Sequence, residues 1–131
     1  MSGTWVLDSE ALSQYLRADR AMTARLAAAH KRDVRVITSA VTVVEADPQG
    51  AHRARVDWVV SQLAVEPVTR EIARHAVRLM RDAGLTGGHK YAIDAVVAAT
   101  AHASAGPVTV LTSDPGDLEP LCGPRVRVMK V

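Results

Sequence analysis

Short β-branched apolar segments alternate along this chain with stretches of helical period, and that alternation leaves few folds open. "TWVLD" (Thr4 to Asp8), "VRVIT" (Val34 to Thr38), "VTVLTSD" (Val108 to Asp114) and the closing "RVRVMKV" read as strands. Between them, "SEALSQYLRA" sets Leu12, Tyr15 and Leu16 at helical spacing behind Ser9 as a cap. "AMTARLAAAH" runs to about His30, and Lys31 and Arg32 follow where a helix end favours cations. "AHRARVDWVVSQLA" repeats Val56, Val59, Val60 and Leu63. Thr69 opens a long helix to Ala83, with Ile72, Ala73, Ala76, Val77 and Met80 on one face and Gly84 as its stop. A last apolar helix spans Tyr91 to about Ser104, and "PGDLEPL" is a turn with a short helical piece. Strands separated by helices predict an α/β fold on a parallel sheet.

Two segments stay open. In "SAVTVVEA" the run Val41 to Val44 favours a strand, whereas Ser39 is a good helix cap. Pro48 and Gly50 then force a break, and "VEPV" is too short to assign. "LTGGHK" is a turn or loop.

A chain of 131 residues is expected to form one domain, 1–131, large enough for a core without staples. Cys122 is the only cysteine, so no internal disulfide can form, which fits a reducing compartment. "MSGTWVLD" lacks the basic start and apolar core of a signal peptide. No apolar run approaches the roughly 20 residues that span a bilayer. A cytoplasmic location, with no membrane partner, is expected. The net charge of +2 and a pI near 9.0 suit a polyanionic partner. With Trp5, Trp58, Tyr15 and Tyr91 as the whole aromatic complement, nucleic acid would be held through phosphates rather than by stacking.

The acids carry the chemical signal. Parallel sheets bind ligands at the carboxyl ends of their strands, where Asp8 ("WVLD") and Asp114 ("VLTSD") both fall. Taken singly, either is equally a loop or capping acid. Asp94 stands near the front of the apolar "YAIDAVVAATA", where a helix start would tolerate it. Glu45 ends an apolar stretch, and a helix end would disfavour it there. Asp117 follows Asp114 by three residues and either joins the group or caps the next turn. Acids converging on one strand edge suit a hard divalent cation with oxygen ligands. His30, His52, His75, His89 and His102 are scattered, so no zinc spacing forms, and each is expected to be a surface or capping group. Nucleophile-elbow, Walker A and dinucleotide motifs are absent.

"WVLDSEAL", "TSAVTVVEA", "YAIDAVVAATA" and "VLTSDPGDL", in that order, resemble the PIN-domain ribonucleases, above all the bacterial toxins of the VapC type. The resemblance runs from Trp5 to Leu118. It implies a three-layer α/β/α fold with a central, mainly parallel sheet. By resemblance Asp8, Glu45, Asp94 and Asp114 form an acidic quartet holding Mg²⁺ or Mn²⁺, with Asp117 at a position that is often acidic. Ser9 stands beside the first acid, and Thr112 and Ser113 supply a hydroxyl beside the fourth. Glu10 departs from the small residue common at its place. An RNA substrate, a cognate antitoxin and a homodimer are implied in the same way.

The chemistry so implied is metal-assisted hydrolysis of an RNA phosphodiester, which needs no protein nucleophile. Arg70, Arg74, Arg78 and Arg81 form one stripe on the Thr69 helix. A solvated face is its default reading and RNA contact the alternative. Lys90 is better placed to meet a phosphate. Leu12, Leu16 and Met22 would serve either a partner surface or the core. Two other functions share these features: a receiver-like Mg²⁺ switch and an inactive PIN-like binding module. A receiver generally has two adjacent acids early and a lysine after a late strand, whereas here Ser9 follows Asp8 and "VLTSD" ends in an acid.

Overall fold

The computed structural model describes residues 3–46, 51–86 and 88–131. Its sheet has five strands: β1 (Gly3–Leu7), β2 (Val34–Ser39), β3 (Ala64–Glu66), β4 (Val108–Thr112) and β5 (Arg127–Lys130). Their spatial order is β3-β2-β1-β4-β5, and every pairing is parallel. The helices are α1 (Ser9–Leu16), α2 (Arg20–Lys31), α3 (Ala40–Glu45), α4 (Arg53–Gln62), α5 (Arg70–Asp82), α6 (Ala92–His102) and α7 (Pro115–Cys122). A 3₁₀ turn, Gly88–Lys90, leads into α6. The α/β fold read from the alternation is present.

Alternation along each strand divides the core into two layers. Val6, Ile37 and Val110 pack with α5, α6 and α7, while Leu7, Val36 and Leu111 pack with α1, α2 and α4. A three-layer α/β/α sandwich results. α6 is apolar on most of its surface because it lies against the sheet, with α5 and α7 beside it. Leu12, Leu16 and Met22 are buried core residues, which removes them as a partner surface.

Helix starts follow capping chemistry. Asp19 accepts from the Met22 amide at 2.9 Å, and Thr69 accepts from the Ile72 amide at 3.1 Å. Ser9 is not the cap of α1. Asp8 takes that role, accepting from the Ala11 amide at 3.0 Å, so Ser9 becomes the first helical residue. "SAVTVVEA" resolves as helix: Ser39 caps it and sheet pairing stops there, so context overrides β-branched preference. The undecided "VEPV" contributes the end of β3. Val77 departs from the expected apolar face and is 48% exposed. Ile72, Ala76, Leu79, Met80 and Ala83 make the contact instead, so the apolar arc is turned away from Val77. Gly84 ends α5 at φ 68, with its amide on the Arg81 carbonyl and the Leu85 amide on the Met80 carbonyl. This is the Schellman arrangement that favours glycine. Pro48 and Gly50 lie outside the described residues. No helix among the described residues is long and apolar enough to cross a membrane.

These caps make a paired prediction. Asp19→Ala should cost about 1 kcal/mol in denaturant unfolding, whereas Ser9→Ala should stay within about 0.5 kcal/mol of wild type. A large loss at Ser9 would contradict the assignment of the α1 cap to Asp8.

Candidate active site

The strand order reverses at β1. The chain runs from β1 outward through β2 to β3, then crosses to β4 on the other flank of β1. Such a switch point opens a crevice between the carboxyl ends of two strands, and both ends here lead into acids. Asp8 follows β1 and is 7% exposed. Its amide donates to the Leu111 carbonyl across the strand pair at 3.1 Å. Burial pushes the Asp8 carboxyl above its ordinary pKa, against the pull of the Ala11 amide, the Thr112 hydroxyl and the Glu10 amide. Thr112, at the end of β4, is fully buried. Its hydroxyl hydrogen-bonds Asp8 and accepts from the Asp114 amide at 3.0 Å. One threonine therefore ties the first acid to the segment carrying the fourth. Ser113, the other hydroxyl expected here, is exposed.

Asp94 lies in the first turn of α6, half-buried against this edge. Its pKa is raised to about 6, first by burial and then by the charges of Asp117, Asp8, Glu45 and Asp114, in that order. The charges of Asp8, Glu45, Asp114 and Asp117 thus all act on Asp94 at this edge. Glu45, exposed at the end of α3, reaches it from the β2 side. Asp117, exposed on α7, is raised by a hydrogen bond with Asp114, by burial and by the Asp114 charge, while Lys90 pulls it down. Lys90 is therefore within electrostatic reach of the acids.

The donor set fits a hard divalent cation: all oxygen, no thiolate or imidazole, and an excess of negative charge that raises Asp94. Among the described residues no three His, Cys, Asp or Glu side chains are already drawn together around one point. Mg²⁺ needs only one or two carboxylates and keeps its waters for the rest. Mutual repulsion also spreads carboxylates that nothing neutralises.

Other residues sort more plainly. Ser9 is half-buried, and Glu10 pairs with Arg17 at 3.0 Å on the surface. Arg70, Arg74, Arg78 and Arg81 are all exposed, opposite the side of α5 that enters the core, and none is ion-paired with a described residue. His30 lies in the last turn of α2 and His52 sits at the N-cap of α4, both exposed as expected. His75 and His102 do not fit that expectation, being half-buried with their rings adjacent and tilted. Two residues escaped sequence reasoning. Cys122 lies close enough to Asp94 that burial and that carboxylate push its thiol up to about 12. Thr42, on α3, is fully buried with its hydroxyl unpartnered among the described residues. Thr42 precedes Glu45 by three residues, about one helical turn, the only signal that could have marked it.

Carboxylates thus gather at the switch point of a parallel α/β sandwich, with four of them acting on Asp94. Residues 5–118 match the PIN domain family, and the chain belongs to that family. VapBC2 from Rickettsia felis, solved bound to a DNA fragment from their promoter, shares the fold at TM-score 0.69 and 12% identity, over 98% of this chain and 98% of that one. FitAB bound to an IR36 DNA fragment shares it at TM-score 0.69 and 22% identity, over 96% of this chain and 94% of that one. At those identities the likeness is one of fold. No curated protein sequence matches the chain.

The raised Asp94 has a measurable consequence in metal-free protein. Its folded pKa of about 6 exceeds the ordinary value of 3.8. The folded state therefore binds the extra proton between those values, and stability falls as pH rises through that window. The rise bounds the cost at about 3 kcal/mol near neutral pH, and solvent screening brings it nearer 2 kcal/mol. In EDTA, Asp94→Asn should raise the unfolding free energy by that amount at about pH 7.5, and the gain should shrink toward pH 4. A variant less stable than wild type at both pH values would contradict the crowded-acid account.

Proposed function

We propose that this chain is a metal-dependent endoribonuclease, a single PIN unit over residues 1–131 acting as the toxin of a toxin–antitoxin pair. One observation carries the reading: Asp8, Glu45, Asp114 and Asp117 all act electrostatically on Asp94, in a chain of the PIN family. Family membership supports a nuclease. The acid cluster supports Mg²⁺ or Mn²⁺ as its cofactor, and the VapC resemblance supports RNA as substrate. The fold shared with VapBC2 and FitAB supports a toxin with a cognate antitoxin. A homodimer follows from the VapC resemblance, and a cytoplasmic location from the lone cysteine and the lack of a signal-peptide pattern in the sequence.

In this mechanism Asp8, Glu45, Asp94 and Asp114 would hold the cation, with Asp117 as a further candidate ligand. Mg²⁺ or Mn²⁺, when bound, would supply an activated water and stabilise charge developing on the phosphate and leaving oxygen. Thr112 fixes the Asp8 carboxylate and the Asp114 backbone so that neither must reorganise during the reaction. Lys90 offers the incoming phosphodiester a cation beside otherwise repellent acids. The buried face of α6 keeps Asp94 fixed from below. Nothing in the geometry favours a receiver-like switch: Ser9 follows Asp8, and β4 leads to Asp114 rather than to a lysine. With all four acids in place, an inactive binding module has no visible cause.

The test is cleavage of total cellular RNA by purified protein in Mg²⁺, Mn²⁺ or EDTA. Discrete fragments should form only with metal, and Asp8→Asn or Asp94→Asn should lower the rate by roughly 100-fold or more. Thr112→Val should cost about 10–100-fold through the loss of carboxylate orientation. Cleavage surviving in EDTA or in Asp94→Asn would overturn the assignment.

A further inference from the structure

The end of the sheet away from the acids carries a second cluster, of opposite sign. His75 on α5 and His102 on α6 face each other with ring centroids 5.4 Å apart and planes tilted by 41°. Arg78, one turn further along α5, and Arg125, in the turn between α7 and β5, also act on His75. Burial comes first, then the charges of His102, Arg78 and Arg125, in holding that imidazole below its ordinary pKa. No acid acts on it. The His102 Nε2 is buried without a hydrogen-bond partner among the described residues. Beside it lies a cavity of about 130 Å³, lined by His102, Ser104, Gly106, Pro107, Arg125 and Val126, and by no acidic side chain.

We propose that this cavity is a binding site for an oxyanion of the phosphate class, held by His102 and Arg125 with His75 beside them. The inference goes beyond the nuclease reading, since it concerns the start of β4 rather than the acid-bearing end. The cavity wall joins an imidazole to a guanidinium with no carboxylate to balance them. A water would fill the cavity but would leave this crowding of basic groups as it is. A transition metal would suit the imidazoles but would meet the guanidinium charge. A tetrahedral oxyanion suits the lining: it accepts from an imidazole N–H, and a guanidinium fork matches its oxygens two at a time. The carbonyl end of α6 works against an anion. That opposition is reduced because the Ala103 amide binds the Ala99 carbonyl, the Ser104 amide the Ala101 carbonyl, and the Ser104 hydroxyl the Thr100 carbonyl at 2.8 Å. The anion is either free phosphate or a phosphate on a nucleic-acid strand.

The full chain in EDTA is titrated with sodium phosphate against sodium chloride at matched ionic strength, at about pH 6 where imidazoles charge readily. Thermal unfolding and the histidine ring resonances are followed together. Phosphate should raise Tm saturably beyond the chloride control and should move the His75 titration midpoint upward. Arg125 is exposed, so Arg125→Gln should fold normally and bind phosphate at least tenfold more weakly. Arg53→Gln, which removes the same charge from exposed α4, should bind as wild type. At about pH 8, where His75 is neutral and the Arg78 and Arg125 charges remain, binding should weaken. A 5′-phosphorylated RNA oligonucleotide that displaces phosphate where its unphosphorylated twin does not would assign a strand end as the source. Failure of both to displace it would assign the free anion. Equal responses to phosphate and chloride, or unchanged affinity in Arg125→Gln, would overturn the site, whatever the outcome of the cleavage assay.

Discussion

The pairing of β1 with β4 sets the position of everything at the acidic edge. The two strands are brought together from opposite ends of the chain: Thr4 Oγ1 donates to the Ala105 carbonyl across 101 residues at their start. At their finish the Asp8 amide meets the Leu111 carbonyl. Between these anchors Val6 faces Val110 and Leu7 faces Leu111, so a one-residue slip would send every core side chain to the wrong layer. The register therefore fixes not only the core but also the height at which Asp8 and Thr112 emerge. The Thr112 hydroxyl then extends the ladder by one side-chain rung, linking Asp8 to the Asp114 amide. A serine in place of Thr112 would keep the bond but lose the β-branched stiffness that holds the hydroxyl in one rotamer.

Burial and repulsion both act on Asp94, and their order is informative. Burial comes ahead of all four neighbouring carboxylates, because α6 is an interior helix with Ala95, Ala98, Ala99 and Ala101 fully enclosed. Small side chains let α6 approach the sheet closely, and its first turn is carried down to the strand ends with it. The apolar character of "YAIDAVVAATA" and the presence of its carboxylate are thus two parts of one arrangement. Cys122, packed near Asp94 at the end of α7, adds a polarizable neighbour that remains protonated and supplies no competing negative charge.

Much of this was legible because the periodicities of strands and helices differ. β1, β2, β4 and β5 and all the long helices stand where the alternation put them, and Asp8 and Asp114 follow from reading where apolar strands stop. The segments that were open or misread share a physical cause. Local propensity could not decide "SAVTVVEA", since only the end of sheet pairing at Ser39 makes α3 a helix. Ser9 reads as a cap in the sequence because one residue of drift in a strand end exchanges it with Asp8. Val77 lay within the apolar arc of α5, but where that arc is centred depends on how α6 lies, which one helix cannot reveal. His75 and His102 are 27 positions apart and share no pattern. Only the packing of α5 on α6 brings them together.

Charge is therefore segregated along the strand direction, acids at one end of the sheet and the His–Arg cluster at the other. A net charge of +2 favours the approach of a polyanion at long range, but screening confines that attraction to about 8–10 Å. Within that distance an unneutralised acidic edge repels phosphate, and Asp94, already raised by burial, is raised further by four neighbouring carboxylates. A phosphodiester can settle there only where fixed or bound cations reverse the local sign, and Lys90 is the fixed cation that acts on the cluster. At the far end no such reversal is needed, because the Arg78 and Arg125 guanidinium groups act there on His75 and no acid is among the charges that shift it. The same fold thus presents two environments that are each electrostatically incomplete, one requiring a cation before it can take a phosphate and the other able to take one directly.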